Sequence, residues 1–156
     1  MISFEIPGRG NFQITNLVLD VNGTIAVNGN LIKGVTERLQ ELTKYLNIHI
    51  LTANTHGKQH LIDKELNLSS HIIPAGREAE MKAEFVEKIN AQSVVAMGNG
   101  SNDALMLKKA SIGIAVLGEE GLSIDALVNA DIIVNTPLEG LDLLLNKNRL
   151  IATLRK

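Results

Sequence analysis

The sequence predicts one α/β domain built around a mostly parallel β-sheet. A chain of 156 residues has the size of a single domain with a substantial core. Short apolar runs typical of strands alternate with helical patterns, in which apolar residues recur every three or four positions, as at Val35, Leu39 and Leu42. Such alternation favours right-handed βαβ units, and a series of these units gives a parallel sheet.

The predicted elements follow one another without a linker or an internal repeat. The strand-like runs are 17–19, 48–51, 71–73, 94–97, 112–116 and 132–134, and the helical patterns are 36–46, 58–66, 79–89, 103–109, 122–128 and 138–145. Two further short runs, 2–6 and 12–14, are expected to form a hairpin that covers an edge of the sheet. The single domain, 1–156, therefore divides into an extension (1–15), a core (16–135) and a C-terminal helical segment (136–156).

Composition excludes several classes of function. The net charge is −2 and aromatic residues make up 3% of the chain, so neither nucleic acid nor an anionic membrane is an expected partner. The absence of cysteine excludes disulfides and thiolate sites. No apolar run approaches the roughly 18–20 residues that span a bilayer, and the amino terminus lacks the pattern of a signal peptide. A soluble, cytoplasmic protein is expected.

The first candidate site residue is Asp20, which follows the strand predicted at 17–19. An aspartate in this position can attack phosphorus and form an aspartyl-phosphate, while its other oxygen binds a metal ion. The alternative is an Asp turn or helix cap, which loops after strands often contain. The turn that follows favours the chemical interpretation, because a glycine allows the backbone N–H groups of Gly23 and Thr24 to approach phosphate oxygens.

Two other regions carry residues suited to a phosphoryl group. Thr52 ends a predicted strand, and its hydroxyl and the N–H groups after it, beginning with Ala53, are suited to phosphate oxygens. Lys82 offers a positive charge from a predicted helix. Each has an ordinary alternative when taken alone: helix capping for Thr52, and a solvated ion pair with neighbouring glutamates for Lys82.

The loop at 98–103, with the sequence GNGSND, follows another predicted strand. It matches the start of a dinucleotide-binding G-x-G-x-x-G motif, but the last glycine is missing and Asp103 would face the pyrophosphate. Because the carboxyl ends of parallel strands meet in one crevice, Asn99 and Asp103 are predicted to hold Mg²⁺ with Asp20, directly or through water. Asn102 is expected to orient the loop or cap the next helix.

Taken together, the DVNGT segment at 20–24, Thr52, Lys82 and the GNGSND loop at 98–103 resemble the four motifs of the haloacid dehalogenase superfamily. The order and spacing match over about residues 16–135. The last loop, which continues into ALML, most resembles soluble relatives of the phosphorylation domain of P-type ATPases. The resemblance implies a Rossmann-like, three-layer α/β sandwich with a mostly parallel central sheet.

The resemblance also implies a role for each motif residue. Asp20 is the expected nucleophile and Mg²⁺ ligand, and the backbone carbonyl of Asn22 is the expected second ligand. Thr52 and Lys82 are expected to hold the phosphoryl group, and the loop with Asn99 and Asp103 to complete the metal site. The implied activity is a Mg²⁺-dependent phosphohydrolase or phosphotransferase.

Two residues depart from the family pattern. Many family phosphatases carry an acid–base aspartate two positions after the nucleophile, where this chain has Asn22. Its loss removes help worth roughly 10²–10⁴-fold in rate, so slow turnover is expected. Asn99 replaces a metal-binding aspartate, which removes one negative charge and is expected to weaken Mg²⁺ binding.

The intervals between the motifs are too short for the cap domain of many relatives. The first interval holds a short hairpin at 25–32 and one helix, so a capless protein with an open crevice is expected. Such a crevice accepts a small phosphorylated substrate or a large one that covers it. Water must otherwise be excluded by a neighbouring subunit, which favours a homo-oligomer.

Three functions stay open on the sequence alone. The first is a slow enzyme that acts through Asp20. The second, favoured by Asn22 and Asn99, is a regulatory module that senses phosphate or nucleotide with little turnover. The third is a scaffold with a vestigial site. The sequence does not identify the substrate.

Two remaining groups of polar residues point to no chemistry of their own. His56 and His60 stand four positions apart, but no glutamate follows His56 and no third ligand is evident, so a zinc site is not expected. Glu119 and Glu120, in the loop at 118–121 after a predicted strand, could border the crevice, but a solvated turn is the expectation.

Overall fold

The structure is a computed structural model that describes residues 1–54 and 57–156. His56, considered above as a metal ligand, lies outside the described residues. The strands are β1 (Ile2–Ile6), β2 (Gly10–Ile14), β3 (Asn16–Asp20), β4 (Ala26–Val27), β5 (Asn30–Leu31), β6 (Asn47–Thr52), β7 (Ser70–Ile72), β8 (Val94–Gly98), β9 (Ile112–Val116) and β10 (Ile132–Val134). The helices are α1 (Val35–Leu42), α2 (Gln59–Leu66), α3 (Glu78–Lys88), α4 (Ala104–Lys109), α5 (Ile124–Asn129), α6 (Pro137–Leu145) and α7 (Lys147–Leu154).

A six-stranded sheet forms the centre of the molecule, with the strand order β10-β9-β8-β3-β6-β7. Every neighbouring pair in it is parallel, which confirms the predicted sheet. The chain builds outwards from β3 through β6 to β7, and then returns to add β8 on the other side of β3. The connections therefore diverge between β3 and β8, and such a switch point opens a crevice at the carboxyl ends of the strands.

Helices cover both faces of the sheet, which confirms the three-layer sandwich. On one face, α1 and α6 contribute buried leucines such as Leu39 and Leu141 to the larger apolar cluster. On the other face, α3 and α4 contribute Val86 and Met106 to a second cluster. The central strand β3 is buried along its whole length, as expected for a strand with neighbours on both sides and helices above and below.

The two ends of the chain pack together. The expected hairpin, β1 with β2, is present as an antiparallel pair, but it does not pair with either edge strand of the large sheet. The hairpin therefore does not extend the large sheet, and its covering of a sheet edge stays a prediction. Its buried Phe4, Ile6 and Ile14 join the same apolar cluster as α6 and α7, because these side chains alternate onto one face of the hairpin.

The C-terminal segment is helical, as predicted, but it holds two helices, α6 and α7, which meet at Asn146. Between β3 and α1 lies only the short hairpin of β4 and β5, so no cap domain interrupts the described residues. None of the helices in the described part of the chain is long and apolar enough to cross a membrane.

Candidate active site

The motif residues lie at the carboxyl ends of three adjacent strands, β6, β3 and β8. Asp20 is the last residue of β3, Thr52 is the last residue of β6, and Asn99 directly follows β8. A cavity of about 220 Å³ opens between these strand ends. It is lined by Asp20, Asn22, Thr52, Ala53, Asn99, Gly100, Asn102 and Glu120.

Lys82 reaches the site from α3 and connects two of its carboxylates. Its Nζ lies 2.7 Å from Asp20 Oδ1 and 2.6 Å from Asp103 Oδ1, and the side chain is 0% exposed. The alternative of a solvated helix lysine is therefore wrong. Burial acts to lower the pKa of Lys82, but the two carboxylates outweigh it and hold the pKa above its usual value.

Asp103 holds the loop that follows β8. Its Oδ2 accepts hydrogen bonds from the backbone N–H groups of Asn99, at 3.0 Å, and Gly100, at 2.9 Å. A Cβ at Gly98 would lie 2.5 Å from Asp103 Cγ, so the close approach of this side chain requires a glycine there. Asp103 bonds to the protein through both oxygens and does not line the cavity, which does not support its predicted role as a direct metal ligand.

Thr24 connects the loop after β3 with the loop after β8. Its buried Oγ1 lies 3.1 Å from Asp20 Oδ2 and 3.2 Å from Asn99 Oδ1, and its single proton is donated to one of them at a time. Asn99 Nδ2 donates to the Gly121 carbonyl at 3.2 Å, so the amide oxygen of Asn99 faces the site. Gly23 has φ +79°, and a Cβ on it would lie 2.3 Å from Asn99 Nδ2.

The predicted phosphate contacts through the backbone of Gly23 and Thr24 need correction. The N–H of Gly23 donates to Ala26 at 2.8 Å, and that of Thr24 donates to Val21 at 3.1 Å. Neither residue lines the cavity. The turn uses these donors internally, so it positions Asp20 through the Thr24 hydroxyl instead of presenting N–H groups to an anion.

The opposite wall of the cavity is formed by the end of β6. Thr52 is 1% exposed, and its Oγ1 accepts a hydrogen bond from the Asn54 N–H at 3.0 Å. This bond leaves the hydroxyl proton of Thr52 available for a second partner. Ala53 lies on the cavity wall beside it.

The buried charges of Asp20, Lys82 and Asp103 leave one negative charge without compensation. Burial and the neighbouring Asp103 raise the pKa of Asp20 to about 7, although Lys82 and Thr24 act in the opposite direction. A site of this kind attracts a cation. The described residues contain no group of three His, Cys, Asp or Glu placed to hold a metal, so a cation would depend on oxygens of one carboxylate and of amides. That donor set suits Mg²⁺, with low affinity.

Two residues of this cavity were expected in other roles, although Glu120 had been considered as a residue that borders the crevice. Glu120 was expected in a solvated turn and Asn102 was expected to orient the loop or cap a helix, yet both line the cavity. The available signal was the position of the loop at 117–123, which follows β9, the neighbour of β8 in the sheet. The conformation of this loop decides whether its side chains reach the site, and the residue types do not predict that conformation.

Comparison with known sequences shows relatives of two kinds, although no protein-family model matches the chain. An uncharacterized protein of Methanocaldococcus jannaschii is 42% identical over 84 residues, which are 51% of this chain and 90% of that protein. A probable copper-exporting P-type ATPase of Archaeoglobus fulgidus is 36% identical over 98 residues, or 62% of this chain. That stretch is only 12% of the ATPase, so this chain matches one portion of a much larger protein.

Solved structures share the fold over most of the chain. The 3-deoxy-D-manno-octulosonate 8-phosphate phosphatase of Moraxella catarrhalis, solved with magnesium, phosphate and KDO, has a TM-score of 0.66 at 21% identity and covers 91% of this chain and 94% of its own. A zinc-transporting PIB-type ATPase has a TM-score of 0.64 at 28% identity over 79% of this chain and 20% of its own. With the motif residues assembled at one strand edge, these likenesses show that the chain has the fold of the haloacid dehalogenase superfamily and resembles its phosphatases and P-type ATPases.

Proposed function

We propose that the protein is a slow, Mg²⁺-dependent phosphohydrolase or phosphotransferase that forms an aspartyl-phosphate on Asp20. The observation that carries this proposal is the position of Asp20 on the cavity wall, with Lys82 Nζ at 2.7 Å and the Thr24 hydroxyl at 3.1 Å. These two donors fix the carboxylate, so one rotamer of the nucleophile faces the cavity. Positioning of this kind is a large part of the catalysis of phosphoryl transfer.

In the first step, an oxygen of Asp20 attacks the phosphorus of the substrate and the bond to the leaving oxygen breaks. Lys82 and the Thr52 hydroxyl, with the Ala53 N–H, are the proposed partners of the phosphoryl oxygens. In the second step, water attacks the phosphorus, phosphate leaves, and the Asp20 carboxylate is restored.

The residues that would hold Mg²⁺ are the Asp20 carboxylate, the Asn22 carbonyl and the Asn99 amide oxygen, and Asp103 would contribute through water. The metal would supply positive charge to the phosphoryl oxygens. The proposed substrate is a small phosphorylated molecule, or a large one that covers the open crevice. A homo-oligomer that covers the crevice stays a prediction, which light scattering on the purified protein measures.

Asn22 limits the rate of both steps. An amide does not protonate a leaving oxygen or accept a proton from water, so about 3–5 kcal/mol of barrier lowering is missing. Leaving groups that depart as stable anions, such as acyl phosphates, suffer least from this loss. Acetyl phosphate with Mg²⁺ is therefore the donor of choice, and p-nitrophenyl phosphate the second.

The test compares the wild type with Asp20→Asn by intact-protein mass and by phosphate release. We expect a phosphoryl adduct of the wild type alone, and faster loss of the adduct in Asn22→Asp. Equal phosphate release by wild type and Asp20→Asn would remove Asp20 from the mechanism. A slower Asn22→Asp variant would contradict the role given to position 22.

The second candidate function is a phosphate- or nucleotide-sensing module with little or no turnover. The observation that favours it is the hydrogen bond from Asn99 Nδ2 to the Gly121 carbonyl, because it accommodates an amide where family members use a charged metal ligand. Binding of phosphate or nucleotide in calorimetry without adduct or release would favour this function over the enzyme.

A further inference from the structure

The proposed reaction lacks a residue that accepts the proton of the attacking water. Asn22 lies on the cavity wall at the position where family members carry that base, and an amide does not serve as one. Lys82 is fully buried between two carboxylates and is held in its protonated form. Among the residues that line the cavity, Asp20 and Glu120 are the two carboxylates, and Asp20 is the proposed nucleophile.

Glu120 comes from a loop that is built onto the site. The loop at 117–123 connects β9 with α5, and Ser123 donates its backbone N–H to the Asn99 carbonyl at 2.9 Å. Gly121 accepts the hydrogen bond from Asn99 Nδ2 at 3.2 Å. Both contacts attach the loop to Asn99, which itself lines the cavity.

Two further contacts fix the first half of the same loop. Gly118 donates its N–H to the Asn135 carbonyl at 3.1 Å, beyond the end of β10. A Cβ on Gly118 would lie 3.0 Å from the Gly23 carbonyl oxygen, so this part of the loop touches the turn after Asp20. The loop is thus held on both sides of Glu120.

The Glu120 side chain is not used in any hydrogen bond or ion pair of the described residues. Its neighbour Glu119 is also exposed but does not line the cavity. The two glutamates therefore differ in one respect that matters, because only Glu120 lines the cavity that Asp20 and Thr52 also line.

We propose that Glu120 is a catalytic residue, the general base for hydrolysis of the aspartyl-phosphate. This inference rests on the proposed function. Water attacks the phosphorus of phospho-Asp20, its proton passes to the Glu120 carboxylate, and the bond from phosphorus to the Asp20 oxygen breaks. The products are phosphate and the Asp20 carboxylate, and Glu120 then releases its proton to solvent.

The assignment explains how a chain with Asn22 can still turn over. A base that comes from the loop at 117–123 acts on the water of the second step, and it leaves the first step without an acid. The protein should therefore be selective for leaving groups that need no proton, while its phosphoenzyme is still hydrolysed.

The test separates the two steps in Glu120→Gln, with Glu119→Gln as the matched control for loss of a loop charge. Each protein is exposed to acetyl phosphate and Mg²⁺, the donor is removed, and loss of the adduct is followed by intact-protein mass. We expect adduct formation at the wild-type rate in both variants. Adduct loss should be roughly 10²-fold slower in Glu120→Gln and unchanged in Glu119→Gln.

A rescue variant makes the test independent of a general loss of function. In the double variant Glu120→Gln with Asn22→Asp, the base returns from the other wall of the cavity and adduct loss should recover. Mg²⁺ binding, measured by calorimetry, should be the same in Glu120→Gln and wild type, because the proposed role is not that of a metal ligand.

The outcomes that would overturn the inference are distinct from those that would overturn the proposed function. A wild type that forms no adduct on Asp20 removes the proposed function and this inference with it. A wild type that forms the adduct, with equal adduct loss in Glu120→Gln, removes the inference alone. Equal slowing in Glu119→Gln, or weakened Mg²⁺ binding in Glu120→Gln, would also overturn the assignment of Glu120.

Discussion

Polar networks lie at both ends of strand β3, partly buried at the amino end and buried at the carboxyl end, and they differ in charge. At the amino end, Asn16 Oδ1 lies 3.0 Å from His49 Nε2, and Asn16 Nδ2 donates to Thr15 Oγ1 at 2.9 Å. Burial and the nearby His71 lower the pKa of His49, so this network is neutral at pH 7. At the carboxyl end, Asp20, Lys82 and Asp103 place three charges in contact.

The difference shows which network stabilises the fold and which one prepares a reaction. A neutral, satisfied network makes a modest, lasting contribution to stability. A buried trio with an excess negative charge costs free energy in the folded state, and binding of a cation offsets that cost.

The largest effect is expected from Lys82→Met. The substitution keeps much of the side-chain volume but leaves two buried carboxylates without their cation, and breaking a buried ion pair of this kind costs about 3–5 kcal/mol. Adduct formation on Asp20 should be lost as well. Urea denaturation at pH 7 measures the free energy of unfolding, and Lys109→Met, on an exposed lysine, is the matched control.

If Lys82→Met were as stable as the wild type, the two carboxylates would not need the ammonium group, and the contrast between the two ends of β3 would fail. A loss of the same size in Lys109→Met would show a general effect of removing a lysine.

The next effect concerns pH and Asp20. The pKa of Asp20 in the folded protein, about 7, lies above the ordinary value of 3.8. Burial of the neutral Asp20 carboxyl therefore contributes fully to the free energy of unfolding below pH 3.8. This contribution, roughly 4 kcal/mol, is lost as the pH rises through 7. Asp20→Asn removes this loss, so the variant should match the wild type near pH 4 and exceed its free energy of unfolding near pH 8.

Urea denaturation of both proteins at a series of pH values measures this difference. Addition of MgCl₂ at pH 8 should stabilise the wild type and leave Asp20→Asn unchanged. A constant difference between the two proteins from pH 4 to pH 8 would contradict the raised pKa.

At the amino end, Asn16→Leu should reduce stability without touching the chemistry. The substitution leaves the His49 ring nitrogen without its partner and removes one of the two hydrogen bonds of the Ser93 hydroxyl, at a cost of about 1–3 kcal/mol. Adduct formation with acetyl phosphate should proceed at the wild-type rate at a temperature where the variant is folded. A slower reaction at such a temperature would show that the two ends of β3 are coupled.

The smallest effect is expected from Asn99→Asp. A second carboxylate on the cavity wall should raise Mg²⁺ affinity about tenfold, or about 1.4 kcal/mol. The same charge would face the Gly121 carbonyl, which now accepts a hydrogen bond from Asn99, so the metal-free variant should be less stable than the wild type. Calorimetry with MgCl₂ gives the affinity, and Asn102→Asp is the control for adding charge to the same cavity.

An equal gain of affinity in Asn102→Asp would mean that total charge, and not the position of Asn99 beside Asp20 and Thr24, decides metal binding.

The sequence was enough to predict the site residues that lie at the carboxyl ends of strands. Asp20, Thr52 and Asn99 each follow an apolar run, and the rule that parallel strands share one functional edge was enough to bring them together. The sheet and its two helical layers followed from periodicity in the same way.

Other features depended on contacts that residue types do not specify. The sequence did not reveal that the N–H groups of Gly23 and Thr24 bond within their own turn. A Gly-Thr pair fits a phosphate-binding loop and a closed turn equally well. The packing of the amino-terminal hairpin against α7 and the approach of Glu120 to the cavity required the path of the chain between distant segments. The burial of Lys82 was likewise invisible in a helix with glutamates on either side.

The contact between Gly23 and Asn99 has a consequence for how this protein can evolve. The 2.3 Å gap that a Cβ at position 23 would leave to Asn99 Nδ2 is too small for any added atom. Any other residue at position 23 would have to displace the Asn99 side chain and would also be held at φ +79°, a backbone conformation that favours glycine. Codon 23 is therefore expected to keep encoding glycine across descendants of this gene.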